Sequence, residues 1–413
     1  MNLSNMPIEG KEFFREEFWA PPINFQNRLT DKFNLQEKIY MHDVTLRDGE
    51  QTPGVAFTID EKIMVAHELD KAGVGSIELG LPVISKDFEA MKVLAKEKTN
   101  ARMTCLVRAK KGDIDKAVEA GISAVVLEHS INPYTCKLAY GLDEKGLVDK
   151  NVEMINYAQE QGLWVNWMGW DSFRSDRDYI KRVLQAVVAE ADPEAVTVAD
   201  TFGMLHPLAT FEFFTEMRTW FPDKLIELHE HNDLGMATAN ALSAITAGAN
   251  AVHTAVNGLG ERAGNISLEE IAMVLKGCFH IDCSVNLSRL KRLSKLVEQI
   301  SKVKIADNKP IVGDKLFRVE SGLIMHIFMN AAKQGFPATI MQPFLPEMVG
   351  QEEMEYVIGK GAGKTTIEYF LDKIGVKLPD DKIYRLVDLI KKEAIIRKSC
   401  LSIDEFKERV KSL

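Results

Sequence analysis

His229-Glu230-His231-Asn232-Asp233 holds the residue types and spacing that point most directly to chemistry. The preceding Leu225-Ile226-Glu227-Leu228 reads as a strand, and residues two apart on a strand face the same way. Two imidazoles then leave one strand end side by side, in good order for a metal ion. A matching carboxylate, Asp48, lies far upstream in Asp43-Val44-Thr45-Leu46-Arg47-Asp48-Gly49-Glu50-Gln51, again where an apolar run meets a polar cluster. Asp43 reads as structural. Two imidazoles and an acid leave coordination positions open to a substrate, which marks a reactive rather than a structural site. Asn257, ending a later apolar run, is expected to complete the shell or to orient a ligand through its carbonyl oxygen. Arg47 has two readings: a salt bridge to Asp48 or Glu78, or a fixed cation that steadies an enolate or substrate oxyanion. Arg108 and Arg174 are candidate carboxylate binders.

Positioning these groups requires elements that deliver them to one place. From about Lys38 short apolar runs alternate with longer amphipathic stretches; the runs are 39–41, 76–79, 103–107, 124–127, 163–167, 195–198, 225–228 and 251–256. Thr58-Ile59-Asp60-Glu61 is a capping box opening a helix that Gly73 stops, and Ala237 to Ala247 reads as another helix closed by Gly248. Eight strand–helix units over roughly 240 residues predict a (β/α)8 TIM barrel, with a doubly wound sheet as the competitor. The barrel is favoured because Arg47-Asp48, Glu78, Arg108, Glu128-His129, Asp171, Asp200-Thr201, His229-His231 and Asn257 all fall at or just beyond strand ends, which a barrel gathers at one mouth. The domains expected are an N-terminal extension over 1–37, a catalytic barrel over 38–280 and a smaller, mainly helical C-terminal region over 281–413. The extension, with Phe13, Phe14, Phe18 and Trp19, is too apolar to hang free and is expected to pack on the barrel or on a second subunit.

Composition narrows the function further. The 413 residues carry a net charge of −9, which disfavours a nucleic-acid surface. Hydrophobic residues at 46% and charged residues at 27% are ordinary for a globular chain. Five cysteines without a CxxC pair suit a reducing compartment, and no apolar run approaches membrane-spanning length, so a cytoplasmic protein is expected. The glycine-rich turn Gly258 to Asn265 is expected to let an anion approach backbone N–H groups at a helix start. Gly359-Lys360-Gly361-Ala362-Gly363-Lys364-Thr365 looks like a phosphate loop, but the required first glycine would fall at Ile358, which argues against ATP binding. Carboxylate or phosphate contact by the same glycines stays open.

Three long motifs, Asp43 to Gln51, His229-Glu230-His231-Asn232-Asp233-Leu234-Gly235 and Asn257 to Asn265, agree in order with one family. The chain closely resembles the 2-isopropylmalate, homocitrate and citramalate synthases, relatives of hydroxymethylglutaryl-CoA lyase, over about residues 38–280. The resemblance implies a barrel that condenses acetyl-CoA with a 2-oxo acid with the aid of a divalent metal (magnesium, manganese, zinc or iron). It implies Asp48, His229 and His231 as ligands, with Asn257 at or near the metal. Arg47 is implied to stabilise the reacting oxygens with Gln51 nearby, and Thr201 of Asp200-Thr201-Phe202-Gly203 to contact the substrate carboxylate. Glu78, Arg108, Asp171 and Arg174 are the further candidates to bind substrate.

The sequence departs from the family pattern at three places. The His-Glu-Ser-Gly-Ile-His stretch of the small domain is Val319-Glu320-Ser321-Gly322-Leu323-Ile324 here, so both histidines are absent. Glu320, with His326 as substitute, is the candidate for proton transfer. Ser130 is kept while Pro133 replaces a histidine, and Trp170 replaces an acid beside Asp171. The resemblance also implies a homodimer whose small domain reaches over the neighbour's barrel. A carbon–carbon lyase or aldolase of the same superfamily and a silent, partner-binding barrel are the competing functions.

Overall fold

The computed structural model describes residues 17–413; Phe13 and Phe14 of the aromatic-rich stretch lie outside them. Eight strands run in order: β1 (Tyr40–Asp43), β2 (Ser76–Glu78), β3 (Arg102–Arg108), β4 (Ala124–Ser130), β5 (Trp164–Trp170), β6 (Ala195–Asp200), β7 (Leu225–Glu230) and β8 (Ala251–Ala255). Each pairs in parallel with the next, and β1 pairs with β8 with Asp43 opposite Thr254. That last ladder closes the (β/α)8 barrel; a doubly wound sheet would have left two open edges. A short ninth strand, Ile266–Ser267, pairs with β8.

Local sequence accounts for the intervening helices. Thr58 accepts from the Glu61 amide while the Glu61 carboxylate accepts from the Thr58 amide, the reciprocal cap expected for the helix Ile59–Ala72. Gly73 ends that helix at φ +83°, where a side chain would also meet the Ser284 carbonyl. The strands β4 to β7 run two or three residues past their apolar runs, so Glu128, His129, His229 and Glu230 belong to strands rather than loops. Period-two alternation therefore still governs where those side chains point.

Two compact units emerge. One spans Ile23–Ile305, so the barrel unit ends well beyond the expected boundary at 280. The reason is the helix Leu290–Ser301, which buries Leu290, Leu293, Ser294, Val297 and Ser301 and packs against the helix Ile59–Ala72. The other unit comprises 306–413 together with the described residues before 23. Part of the N-terminal extension thus belongs to neither expected place: Phe18, which is buried, forms an antiparallel bridge with Phe344 in this second unit. Its helices Lys364–Lys373, Asp380–Arg397 and Ile403–Lys411 enclose a core of their own, built on Ile367, Phe370, Leu386, Ile390 and Phe406.

Candidate metal centre

His229 on β7 and His231 just past its end place their Nε2 atoms 3.7 Å and 4.0 Å from Asp48 Oδ2. Those separations are too long for hydrogen bonds and fall within the roughly 3–4 Å expected between ligands that each lie about 2 Å from one cation. All three side chains are buried and their ligand atoms lie within 4.8 Å of one another. Burial and the neighbouring charges of His231, His253 and Arg47 hold the His229 pKa well below its usual value. His231 is lowered too, by burial and by Arg262 and Arg47. Burial works to raise the Asp48 pKa, but Arg47, His231 and the Asn265 amide outweigh it and hold the carboxyl below the usual range. Neutral imidazoles beside an ionised carboxylate are the protonation states a metal ion needs.

A fourth group comes from Asn265, which the sequence reading did not single out. Its Nδ2 donates to Asp48 Oδ1 at 2.9 Å and to the Leu259 carbonyl at 2.8 Å, leaving Oδ1 buried without a hydrogen-bond partner among the described residues. An orphaned amide oxygen beside a carboxylate and two neutral imidazoles fits a cation. Asn257, expected in this place, is directed elsewhere. Its backbone turns into the left-handed region at φ +61°, its Nδ2 donates to the Ser294 carbonyl, and its Oδ1 accepts from the Ser294 hydroxyl at 2.5 Å.

In the turn between the two asparagines the Glu261 amide donates to the Asp48 carboxylate, so one backbone N–H meets an anion there. The amides of Leu259, Gly260, Gly264 and Asn265 are all bonded within the protein. The glycines of the turn permit close approach: a Cβ on Gly260 (φ +154°) would lie 2.2 Å from Asn265 Nδ2 and 2.9 Å from Asp48 Oδ1.

Arg47 satisfies both of its readings. Its Nη1 donates to Asp48 Oδ2 at 2.5 Å and its Nε to Glu78 Oε1, while Nη2 is buried with no partner among the described residues. The guanidinium is therefore fixed in place with one N–H group to spare. Glu128, at the far end of β4 and likewise unassigned by the sequence reading, faces the same charges. Desolvation, opposed by Arg47 and reinforced by Glu78 and Asp48, pushes its carboxyl up to about 7. It points inward because it shares a strand face with Val126, which packs with Leu106 and Met168.

Asp171 and Thr201 form a neighbouring group, with the Asp171 amide donating to Thr201 Oγ1 at 2.9 Å. Arg174 is held by Asp171 at 2.8–2.9 Å and stacks 3.6 Å from the centroid of the Phe202 ring. Gln51 is exposed in a short 3-10 turn, Gly49–Gln51. Arg108 does not join the site; it pairs with Asp113 on the following helix at 2.7 Å and 2.9 Å. Glu320 and His326 belong to the second unit. Glu320 Oε1 accepts from the Gly361 amide at 2.6 Å, and His326 is exposed with Asn330 Nδ2 2.9 Å from its Nε2.

Beneath the centre lies a second buried polar group. Glu227 accepts from Tyr40 Oη at 2.5 Å and Asn166 Nδ2 at 2.9 Å, with His42 Nδ1 at 3.1 Å and His253 Nε2 at 2.9 Å. Thr197 in turn donates to Asn166 Oδ1 at 2.8 Å. The His253 ring lies 5.2 Å from that of His229, so this group forms the floor of the metal centre. His42, Glu227 and His253 also converge as metal ligands would, but four donors already satisfy the carboxylate.

Known proteins share this fold and much of this sequence. A family model described as HMGL-like matches residues 38–297. The probable 2-isopropylmalate synthase of Ignicoccus hospitalis is 37% identical over 360 residues, 87% of this chain and 88% of that one. Homocitrate synthase AksA of Methanothermobacter thermautotrophicus is 36% identical over 376 residues, 91% of this chain and 93% of that one. Among solved structures, the hydroxymethylglutaryl-CoA lyase of Pseudomonas aeruginosa superposes with a TM-score of 0.59 at 20% identity, covering 66% of this chain and 95% of the lyase. At that identity the lyase carries the fold alone, whereas the family match and the two synthases extend across the centre just described. This chain belongs to the HMGL-like family.

Proposed function

We propose that this chain is a metal-dependent acyltransferase that condenses acetyl-CoA with a 2-oxo acid and hydrolyses the thioester, giving a 2-alkylmalate or homocitrate-like acid. The observation that carries this reading is the preformed donor set of Asp48, His229, His231 and the unpartnered Asn265 oxygen, with the spare Arg47 N–H beside it. A divalent cation held there supplies Lewis acidity toward a carbonyl oxygen. Two nitrogen and two oxygen donors accommodate magnesium, manganese, zinc or iron.

The chain's own residues divide the remaining work. Arg47 Nη2 offers a fixed, desolvated donor to oxygen that gains negative charge as the new carbon–carbon bond forms. Thr201 Oγ1, already accepting from the Asp171 amide, keeps its own O–H free to donate to a substrate carboxylate. Glu128 is the carboxylate we assign to removing the acetyl methyl proton, since a base poised near neutrality both accepts and returns a proton readily. That role replaces the one expected of Glu320, whose carboxylate is engaged by Gly361. The relatives named synthases support condensation over cleavage.

A homodimer in the cytoplasm completes the proposal. Five free cysteines are in keeping with a reducing compartment, and among the described residues no helix is long and apolar enough to cross a membrane. The test is thiol release from acetyl-CoA across a panel of 2-oxo acids, with each divalent metal restored in turn to chelator-stripped protein. Metal-dependent release with one oxo acid is expected. Cleavage of a hydroxyacyl-CoA without any condensation would overturn the assignment in favour of a lyase.

A further inference from the structure

The second unit contains a cleft of about 870 Å³ lined by Lys315, Arg318, Lys360 and Lys398, with Glu320 and Cys400 among its other walls. Four cations around one cleft run against the chain's net charge of −9. Lys315 is neutralised by Asp307 at 2.6 Å, and Arg318 leans on Glu355 at 3.3 Å. Lys360 and Lys398 have no ion-pair partner among the described residues, and both are exposed. The single acid among the lining residues, Glu320, turns Oε1 onto the Gly361 amide and keeps its charge, so it offsets one of the two lysines.

This arrangement also explains the glycines that resemble a phosphate loop. A Cβ at Gly359 would lie 2.5 Å from Glu320 Oε1 and 3.2 Å from Cys400 Sγ, and one at Gly361 would lie 3.3 Å from the Glu320 carbonyl. The glycines therefore let the loop close against Glu320 and carry Lys360 to the rim, rather than wrapping a phosphate with their own amides. Recognition falls to the side-chain cations, which attract phosphoryl oxygens without needing one fixed geometry.

We propose that this cleft binds a small polyphosphorylated anion carrying a nucleoside. Its volume suits a nucleotide, and four cations against one lining carboxylate, two of them without an ion pair among the described residues, match a ligand with more than one negative charge. Two sources share that chemistry: the 3′-phosphorylated ADP end of CoA, which rests on the acyltransferase reading above, and a free nucleotide, which does not.

The experiment titrates full-length protein calorimetrically with CoA, ATP, inorganic diphosphate and, as the uncharged control, adenosine. In parallel, Cys400 alkylation by iodoacetamide is followed by peptide mass spectrometry, since this thiol lines the cleft and is exposed. The variant is Lys360→Ala combined with Lys398→Gly. Lys398 has a left-handed backbone (φ +56°) that glycine adopts without strain, so the variant removes two charges and keeps the fold.

Binding of CoA or ATP but not adenosine, weakening with salt, protecting Cys400, and falling at least about tenfold in the variant is expected. A rise in KM for acetyl-CoA in the variant assigns the site to CoA. An unchanged KM with ATP binding lost assigns it to a free nucleotide. Equal affinities in wild type and variant, or no binding and no protection by any phosphorylated probe, would overturn the proposal. Neither calorimetry nor alkylation requires turnover, so a failed acyltransferase assay leaves this result standing, and the reverse also holds.

Discussion

Truncating Asn265 separates the centre built by the fold from the one suggested by sequence order. In Asn265→Ala the buried Oδ1 is lost, together with the 2.9 Å bond that holds Asp48 Oδ1. A hydrogen bond to a charged group is worth about 1.5–3 kcal/mol. Loss of a group that orients a ligand typically costs about 10–100-fold in metal affinity, or about 1.4–2.8 kcal/mol, and loss of a direct oxygen donor places the expectation at the upper end. The comparison variant is Asn257→Gly, which removes the bonds to Ser294 while glycine accepts the φ of +61° at ease. It is expected to lower the melting temperature yet keep metal affinity within about twofold of wild type, since its bonds lead away from the centre. Affinity is measured by competition with a chromophoric chelator, and melting curves of the metal-free proteins give the separate loss of fold stability. The reasoning fails if Asn265→Ala holds metal as tightly as wild type, or if Asn257→Gly loses as much as Asn265→Ala.

Other outcomes follow from the same geometry. Asp48→Ala or His229→Ala should abolish turnover and metal retention while the far-ultraviolet circular dichroism of the barrel is kept; near-normal rates in either would remove the centre from the mechanism. Glu128 acts as a base only when ionised, so kcat/KM should climb with pH through its pKa. That carboxyl is pushed up to about 7, and a nearby cation pulls it lower, so the acid limb is expected at or below pH 7. In Glu128→Gln the limb should vanish and kcat fall about 10²–10⁴-fold, whereas an unchanged profile would exclude Glu128 as the base. Tyr40→Phe removes one of the donors to the buried Glu227 carboxylate and should destabilise the barrel by about 1.5–3 kcal/mol with metal stoichiometry intact. A melting curve matching wild type would mean that this bond contributes nothing.

The barrel was legible because its strands are separate apolar runs, and the triad because period two brings His229 and His231 to one face. Asp48 followed from its place in the polar cluster just beyond β1. What could not be read were contacts fixed by backbone turns. The eighth run ends at Asn257, yet a left-handed φ swings that side chain outward, and Asn265 reaches Asp48 only because the intervening chain folds back on itself. The glycines at 260 and 264 were the available signal, since both mark a place where backbone and side chains approach closely. Glu128 was noticed as a strand-end acid but not assigned, because its inward aim depends on β4 continuing beyond Leu127. Arg108 was misplaced for the opposite reason: a local partner, Asp113, captures it before it can face the mouth. The boundary at 305 depended on which surface the Leu290–Ser301 helix covers, and amphipathicity alone does not name that surface.

The floor beneath the metal centre has an evolutionary corollary. Barrels of this kind usually fill such a level with branched aliphatic side chains, which drift one at a time at modest cost. Here Tyr40, His42, Asn166, Thr197, Glu227 and His253 come from five different strands and interlock through shared protons. A lone exchange strands a neighbour in a dry interior, so this stratum is inherited or abandoned as a block. Descendants wishing to retune the chemistry above it are left with the loops and the rim as raw material.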